Sequence, residues 1–352
     1  MNEINKEDIL NLLKEIIHPE SKQDIVSTGI VNAMAMTEEG LNIVLKFTRQ
    51  RDPFANSLKK QIAANITRAY PQLKERVFIT IEEAPKPEPV PSAAKDVKHI
   101  IAVSSGKGGV GKSTVSTNLA VTLSEMGYNV GILDADIYGP SLPKMFGLEG
   151  YEPLAVKRGE AEFTLPAEKW NIKVASIGFF INPEDVLIWR GPMAHSALKQ
   201  LIHQTLWEEL DFLLIDMPPG TGDVHLSIIN ELKLSGAVVV TTPQQVAVAD
   251  ALRGIKMFQT PQIEVPVFGV IENMSWFTPE ELPDNRYYIF GRGGGAECAN
   301  RTGVDFLGQI PVIESIAEGS DTGMPIVLYN EKIENFYREI CSKIVEKVSK
   351  TE

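Results

Sequence analysis

Cysteine is nearly absent: the 352 residues contain two, Cys298 and Cys341, far apart and with no cluster of metal-ligand residues beside either. That excludes a disulfide scaffold and suits a reducing compartment. Long apolar runs are missing too. Nothing approaches the roughly 20 consecutive apolar residues that span a bilayer. The start, Met1-Asn2-Glu3-Ile4-Asn5-Lys6-Glu7-Asp8, is polar and acidic, unlike a secretory signal. Positive charge is scarce, with 34 lysines and arginines against 46 acidic residues, a net charge of −12, and no dense basic block to offset it locally. Nucleic acid and anionic membranes are therefore poor partners. The expectation is a soluble, cytoplasmic protein, with enough of its residues hydrophobic (43%) to fill a large core and a second domain.

What is present centres on Gly106-Lys107-Gly108-Gly109-Val110-Gly111-Lys112-Ser113-Thr114. Residues 99–103 before it form an apolar run that reads as a buried strand. Residues 115–126 after it carry apolar side chains at helical spacing and stop at Gly127, so the glycines form a strand-to-helix turn. A phosphate loop needs that context: glycines let successive backbone N–H groups face the phosphates, and the helix N-terminus adds partial positive charge. Lys112 would reach the β- and γ-phosphates, and the Ser113 hydroxyl would ligate Mg2+. A glycine-rich turn that binds nothing shares the composition but does not require this placement.

Ahead of this stretch, residues 1–82 read as a small α/β domain. Ile9, Leu10, Leu13, Ile16 and Ile17 line one helical face that ends at His18-Pro19. Residues 25–36 and 41–47 read as strands around the turn 37–40, followed by a helix over 56–70 and a strand over 77–81. Residues 83–96, with Pro85, Pro87, Pro89 and Pro91, read as a semi-extended linker, which leaves 97–352 as the nucleotide domain.

Two further strands end in acids. Residues 129–133 lead into Asp134-Ala135-Asp136-Ile137-Tyr138-Gly139-Pro140-Ser141, where a carboxylate can orient an attacking water. Residues 212–215 lead into Asp216-Met217-Pro218-Pro219-Gly220-Thr221-Gly222-Asp223, which looks like a Walker B strand with Asp216 contacting Mg2+, directly or through water. Either turn alone also fits helix-capping aspartates; beside a phosphate loop, both read as functional. Strands over 237–241, 265–271 and 306–310, with a helix over 246–258, continue the alternation. The fold class is therefore α/β: a P-loop NTPase with a mostly parallel, doubly wound sheet, preceded by a small α+β domain. The terminal helix, with Ile333, Phe336, Ile340, Ile344 and Val348 on one face and mixed charges on the other, reads as docked on the core.

The loop containing Lys107 resembles the deviant Walker A form of MinD, ParA and nitrogenase iron protein relatives. Together with the Asp134 and Asp216 segments and Trp189-Arg190-Gly191-Pro192-Met193, the chain is similar to the Mrp/ApbC family of ATP-dependent iron–sulfur cluster carriers. The resemblance implies a cytoplasmic homodimer that hydrolyses ATP with Mg2+ and serves apo iron–sulfur proteins or other assembly factors. By the same resemblance Lys107, Lys112 and Asp136 are catalytic, Lys107 by reaching the partner's nucleotide, and Asn273 with the segment after Pro311 contacts adenine. A loop-capping role for Asn273 fits the residues equally. The family's Cys-x-x-Cys pair after the Asn-Met-Ser segment is missing here, where Asn273-Met274-Ser275-Trp276-Phe277 runs into Thr278-Pro279-Glu280-Glu281-Leu282-Pro283-Asp284-Asn285-Arg286, and its amino-terminal cysteine turn is replaced by Thr48-Arg49-Gln50-Arg51-Asp52-Pro53-Phe54. Carboxylates are poor substitutes for thiolates on iron–sulfur clusters. Cys298, early on a helix, is then a candidate ligand, with a small buried apolar role as the other reading. Two functions follow: a cluster carrier or assembly factor with atypical ligands, or an ATP-switched dimer that recruits or positions a protein without a cluster.

Overall fold

The computed structural model describes residues 5–37, 39–47, 54–82, 93–159, 161–181 and 191–350. The chain divides into two compact units, Met1–Pro89 and Val90–Glu352.

In the first unit, α1 (Lys6–Lys14) starts where the Asn5 side chain accepts from the Glu7 N–H, and it buries Ile9 and Leu13 one turn apart. Strands β1 (Val31–Met36) and β2 (Leu41–Lys46) are antiparallel, and β3 (Val77–Glu82) runs parallel to β2 on its other side. Between β2 and β3, α2 (Ala55–Ala69) places Leu58, Ile62 and Ile66 at four-residue spacing in one core with Leu41, Ile43 and Leu45. The strand expected from residue 25 begins only at Val31. Asp24 Oδ1 instead accepts from the Val26 and Ser27 N–H groups at 3.0 and 2.7 Å, winding that stretch into a turn. The turn at 48–53 and most of the linker, 83–92, lie outside the described residues.

The second unit is built on an eight-stranded sheet. Its elements in chain order are β4 (Val97–Ser105), α3 (Lys112–Glu125), β5 (Val130–Asp134), the one-turn α4 (Leu142–Met145), β6 (Ala155–Arg158), β7 (Ala161–Thr164), β8 (Ala167–Lys169) and β9 (Ile172–Ser176). These are followed by α5 (Gly191–Gln204), β10 (Leu210–Asp216), α6 (Asp223–Glu231), β11 (Gly236–Thr241), α7 (Gln245–Phe258), β12 (Val267–Glu272), α8 (Gly294–Thr302), β13 (Phe306–Gln309), α9 (Glu314–Thr322) and α10 (Glu331–Ser349). The sheet order is β13-β12-β11-β4-β10-β5-β9-β8, parallel throughout except for β8 against β9, while β6 and β7 form a separate hairpin.

Alternate residues of each strand feed two cores. Ile101, Val103, Ile132 and Leu214 pack with α3 and α10, including Val115, Leu119, Ile340 and Ile344. Ile100, Ala102, Leu133 and Ile215 pack with Leu198 and Ile202 of α5 and Ile228 of α6. This is the doubly wound α/β architecture, with α10 docked on the core as its apolar face requires. No helix among the described residues is long and apolar enough to cross a membrane.

Candidate functional site: a phosphate loop over two buried aspartates

Strand order brings the three functional segments together. β10 lies between β4 and β5, so Asp216 pairs in register with Val103 on one side and Asp134 on the other. The phosphate loop, the 134–141 turn and the Asp216 turn therefore open on one end of the sheet, at the strands' carboxyl ends, where doubly wound sheets bind ligands.

Two glycines explain how the loop is seated. Gly111 has φ +78°, and a Cβ there would lie 2.3 Å from Asn273 Nδ2. Gly106 lies so close to α7 that a Cβ would meet the Asp250 carbonyl carbon at 2.1 Å. Only glycine suits either position. From the far side Asn273 braces the loop, donating from Nδ2 to the Val110 carbonyl at 2.9 Å.

A cavity of about 280 Å³ opens over the loop, lined by Lys107, Gly108, Gly109, Gly111, Lys112, Ser113, Thr114, Asp136, Ser141, Met145 and Pro219 among others. A larger one of about 620 Å³ lies at the opposite end of β4, around His99, Leu232, Ser235 and Pro266. It contains none of the phosphate-loop residues, so chemistry and not size selects the smaller.

Beneath the loop, Asp216 is fully buried and gathers three donors. Lys112 Nζ lies 2.7 Å from its Oδ1, Ser116 Oγ donates to the same oxygen at 2.6 Å, and Ser113 Oγ donates to Oδ2 at 2.6 Å. Lys112 is thus held in the position that neutralises a buried carboxylate until an anion competes for it. Ser113 and Asp216 present hard oxygens side by side at the head of a helix, a donor set that fits Mg2+.

Asp134, next to Asp216 and equally buried, organises the neighbouring turn. It accepts from the Asp136, Ser141 and Leu142 N–H groups at 3.2, 3.0 and 3.1 Å, and from Ser176 Oγ at 3.1 Å. Burial first, then the Asp216 carboxylate, push Asp134 up to about 7. Asp136 is half-buried at the cavity wall. Burial raises its carboxyl above the ordinary range, with Asp216 adding to the shift and Lys112 opposing it. At the start of α6, burial and the Lys112 cation lower His225 to about 4, so it stays neutral.

Lys107, Lys112, Ser113, Thr114 and Asp136 therefore share one cavity, with Asp216 directly below. Asn273 touches the loop from behind but does not line the cavity, and its Nδ2 is engaged by Val110. Pro311 is buried beyond β13 and lies outside the lining as well. Trp189 and Arg190 fall outside the described residues. Cys298, the ligand candidate, is fully buried among Val239, Val248, Ala251, Ile255 and Val270, and burial pushes its thiol up to about 11. The sequence reading missed Ser116 and Ser176, and it quoted Asp134 in its turn without giving it a role apart from Asp136. Ser116 was within reach, since it lies four residues after Lys112 on the same helical face.

This site sits within a long stretch of similarity to known proteins. Residues 96–349 match the family described as NUBPL iron-transfer P-loop NTPases. The chain belongs to that family. Residues 6–77 match a second family, described as iron–sulfur cluster assembly proteins. The chain's relatives include proteins named iron–sulfur cluster carrier proteins. The one from Synechocystis is 41% identical over 91% of this chain and 90% of its own length; the one from Aquifex aeolicus is 44% identical over 90% and 83%. An Archaeoglobus fulgidus nucleotide-binding protein solved with ADP is 36% identical, with a TM-score of 0.59 over 69% of this chain and 94% of that one. The cell-division ATPase MinD of Pyrococcus furiosus, 21% identical with a TM-score of 0.51 over 70% of this chain and 98% of its own, shares the fold.

Proposed function

We propose that this NTPase binds and hydrolyses ATP with Mg2+ as a cytoplasmic homodimer, and that it uses the cycle to assemble or deliver iron–sulfur clusters to apo-proteins. The observation that carries the reading is the convergence of Lys107, Lys112, Ser113 and Asp136 on one cavity above Asp216, in a chain whose relatives are named cluster carriers.

In this reading, the N–H groups of residues 106–114 hold the phosphates, and Lys112 exchanges Asp216 for the β- and γ-phosphate oxygens. Ser113 and Asp216 would hold Mg2+, which neutralises phosphate charge when bound. Asp136 accepts a hydrogen bond from the attacking water and orients it toward the γ-phosphorus, while the three N–H bonds and one O–H bond on Asp134 keep the turn that carries Asp136 in place. Lys107, at the cavity mouth, would contact the nucleotide of the partner subunit, which links assembly to nucleotide state. Asn273 and the segment after Pro311 would contact adenine. The units 1–82 and 97–352, joined by the 83–96 linker, would act as an amino-terminal assembly domain and its ATPase.

The test is an anaerobic transfer assay. Purified chain, ATP and Mg2+ are combined with a cluster source and an apo-enzyme whose activity requires a cluster. Faster activation that depends on hydrolysable ATP is the expected result. Activation at the same rate without the chain would remove the iron–sulfur reading and favour a nucleotide-switched recruiting or positioning factor.

A further inference from the structure

Iron–sulfur clusters are held by thiolates, which must be deprotonated and within reach of the metal. This chain has two thiols, and neither meets that description. Cys298 on α8 and Cys341 on α10 are both fully buried, in separate apolar clusters. Cys341 Sγ already donates to the Leu119 carbonyl of α3 at 3.8 Å, and complete burial raises that thiol further above its ordinary range. Pairing two chains would duplicate these thiols without uncovering them. The segments outside the described residues contain neither cysteine nor histidine. Among the described residues, no group of three or more His, Cys, Asp or Glu side chains is arranged to hold a metal ion. The donor set does not fit a resident cluster.

We propose that the thiolates ligating any cluster this chain handles are supplied in trans, by a cysteine-bearing protein that docks with its cluster already bound. The inference rests on the iron–sulfur function proposed above and names the class of partner it requires. Docking makes and breaks no iron–sulfur bond, because the ligands stay with their holder. Charge selects a protein as the holder over a small thiol. A cluster wrapped in glutathione is strongly anionic, and a chain of net charge −12 repels it unless a partner surface adds contacts of its own.

The experiment uses the full chain, as wild type and as the double variant Cys298→Ala/Cys341→Ala. Each is incubated anaerobically with ferrous iron and sulfide without added thiol, desalted, and read for iron and for thiolate-to-iron charge-transfer absorption. In parallel, each is loaded with ATP and Mg2+ and passed down a sizing column with one of two probes: a scaffold protein holding a 2Fe–2S cluster on its own cysteines, or the glutathione-ligated 2Fe–2S complex.

The expected result is no retained iron on either form alone, and co-elution of the cluster with both forms in the scaffold arm only. Iron retained by the wild type alone overturns the proposal, whether it is lost in the double variant, which makes the buried thiols ligands, or kept, which makes other side chains ligands. Co-elution in the glutathione arm alone overturns the protein as holder. If no arm yields co-elution while ATP is still turned over, the iron–sulfur function itself fails and takes the inference with it. The wild-type arms stand without the variant, and retained ATP binding shows that the variant is folded.

Discussion

Removing the Lys112 amine should destabilise the protein as well as silence it. In this structure Lys112 Nζ lies 2.7 Å from Asp216 Oδ1, with the two side chains 6% and 0% exposed. Lys112→Ala leaves Asp216 with two hydroxyl donors, Ser113 and Ser116, and with Asp134 as its strand neighbour. Breaking a buried pair from one side costs about 3–5 kcal/mol, because the remaining charge is uncompensated. Urea unfolding of Lys112→Ala at pH 7 should therefore show a loss of about 3–5 kcal/mol at an unchanged slope. Asp216→Asn in the same background removes the stranded charge and should recover most of that loss, while ATP hydrolysis stays absent. A Lys112→Ala protein within about 0.5 kcal/mol of wild type would refute the argument that Asp216 depends on this amine. So would a double variant no more stable than the single one.

Three other perturbations probe separate parts of the site. Gly111→Ala forces a left-handed backbone on alanine and pushes its Cβ into Asn273 Nδ2, so thermal unfolding should report a loss of about 2–3 kcal/mol and nucleotide affinity should fall with it; a stable, fully binding variant contradicts the fit. Asp136→Asn should leave ATP affinity near wild type by calorimetry and slow phosphate release, since an amide orients water less well than a carboxylate; affinity and turnover falling in proportion would count against that role. His225 protonates below about 6.5 in the unfolded chain and below about 4 in the fold. The unfolded state therefore binds more protons in that window, and stability is lost as pH falls from about 6.5 to about 4, by about 3 kcal/mol at full extent. His225→Phe should remove that loss relative to wild type. Asp134, raised to about 7, works in the opposite direction, its contribution to stability growing as pH falls, but it is present in both proteins and cancels in the difference.

The phosphate loop was legible because it is local: glycine spacing, an apolar strand before it and a helical pattern after it all lie within 30 residues. The Asp216 and Asp134 turns were legible for the same reason, as acids ending apolar runs. Their adjacency was not, because it depends on β10 inserting between β4 and β5, a pairing no spacing along the chain encodes. Residues 155–169 yielded no strand to pattern reading, since β6, β7 and β8 are three or four residues long and carry Lys157, Arg158, Glu162, Glu168 and Lys169. The apolar Ile25, Val26 and Ile30 suggested a strand that the Asp24 carboxylate turns aside. Cys298 was rightly placed on a helix, but its burial comes from α8 packing over Val239 and Val270, contacts made through the sheet.

The central claim is that this loop grips nucleoside triphosphate, and calorimetric titration of the purified chain with ATP at millimolar Mg2+ tests it most directly. Saturable heat in wild type that disappears in Lys112→Ala is the predicted result. No heat with ATP or a slowly hydrolysed analogue, or equal heat in the two proteins, would contradict the account.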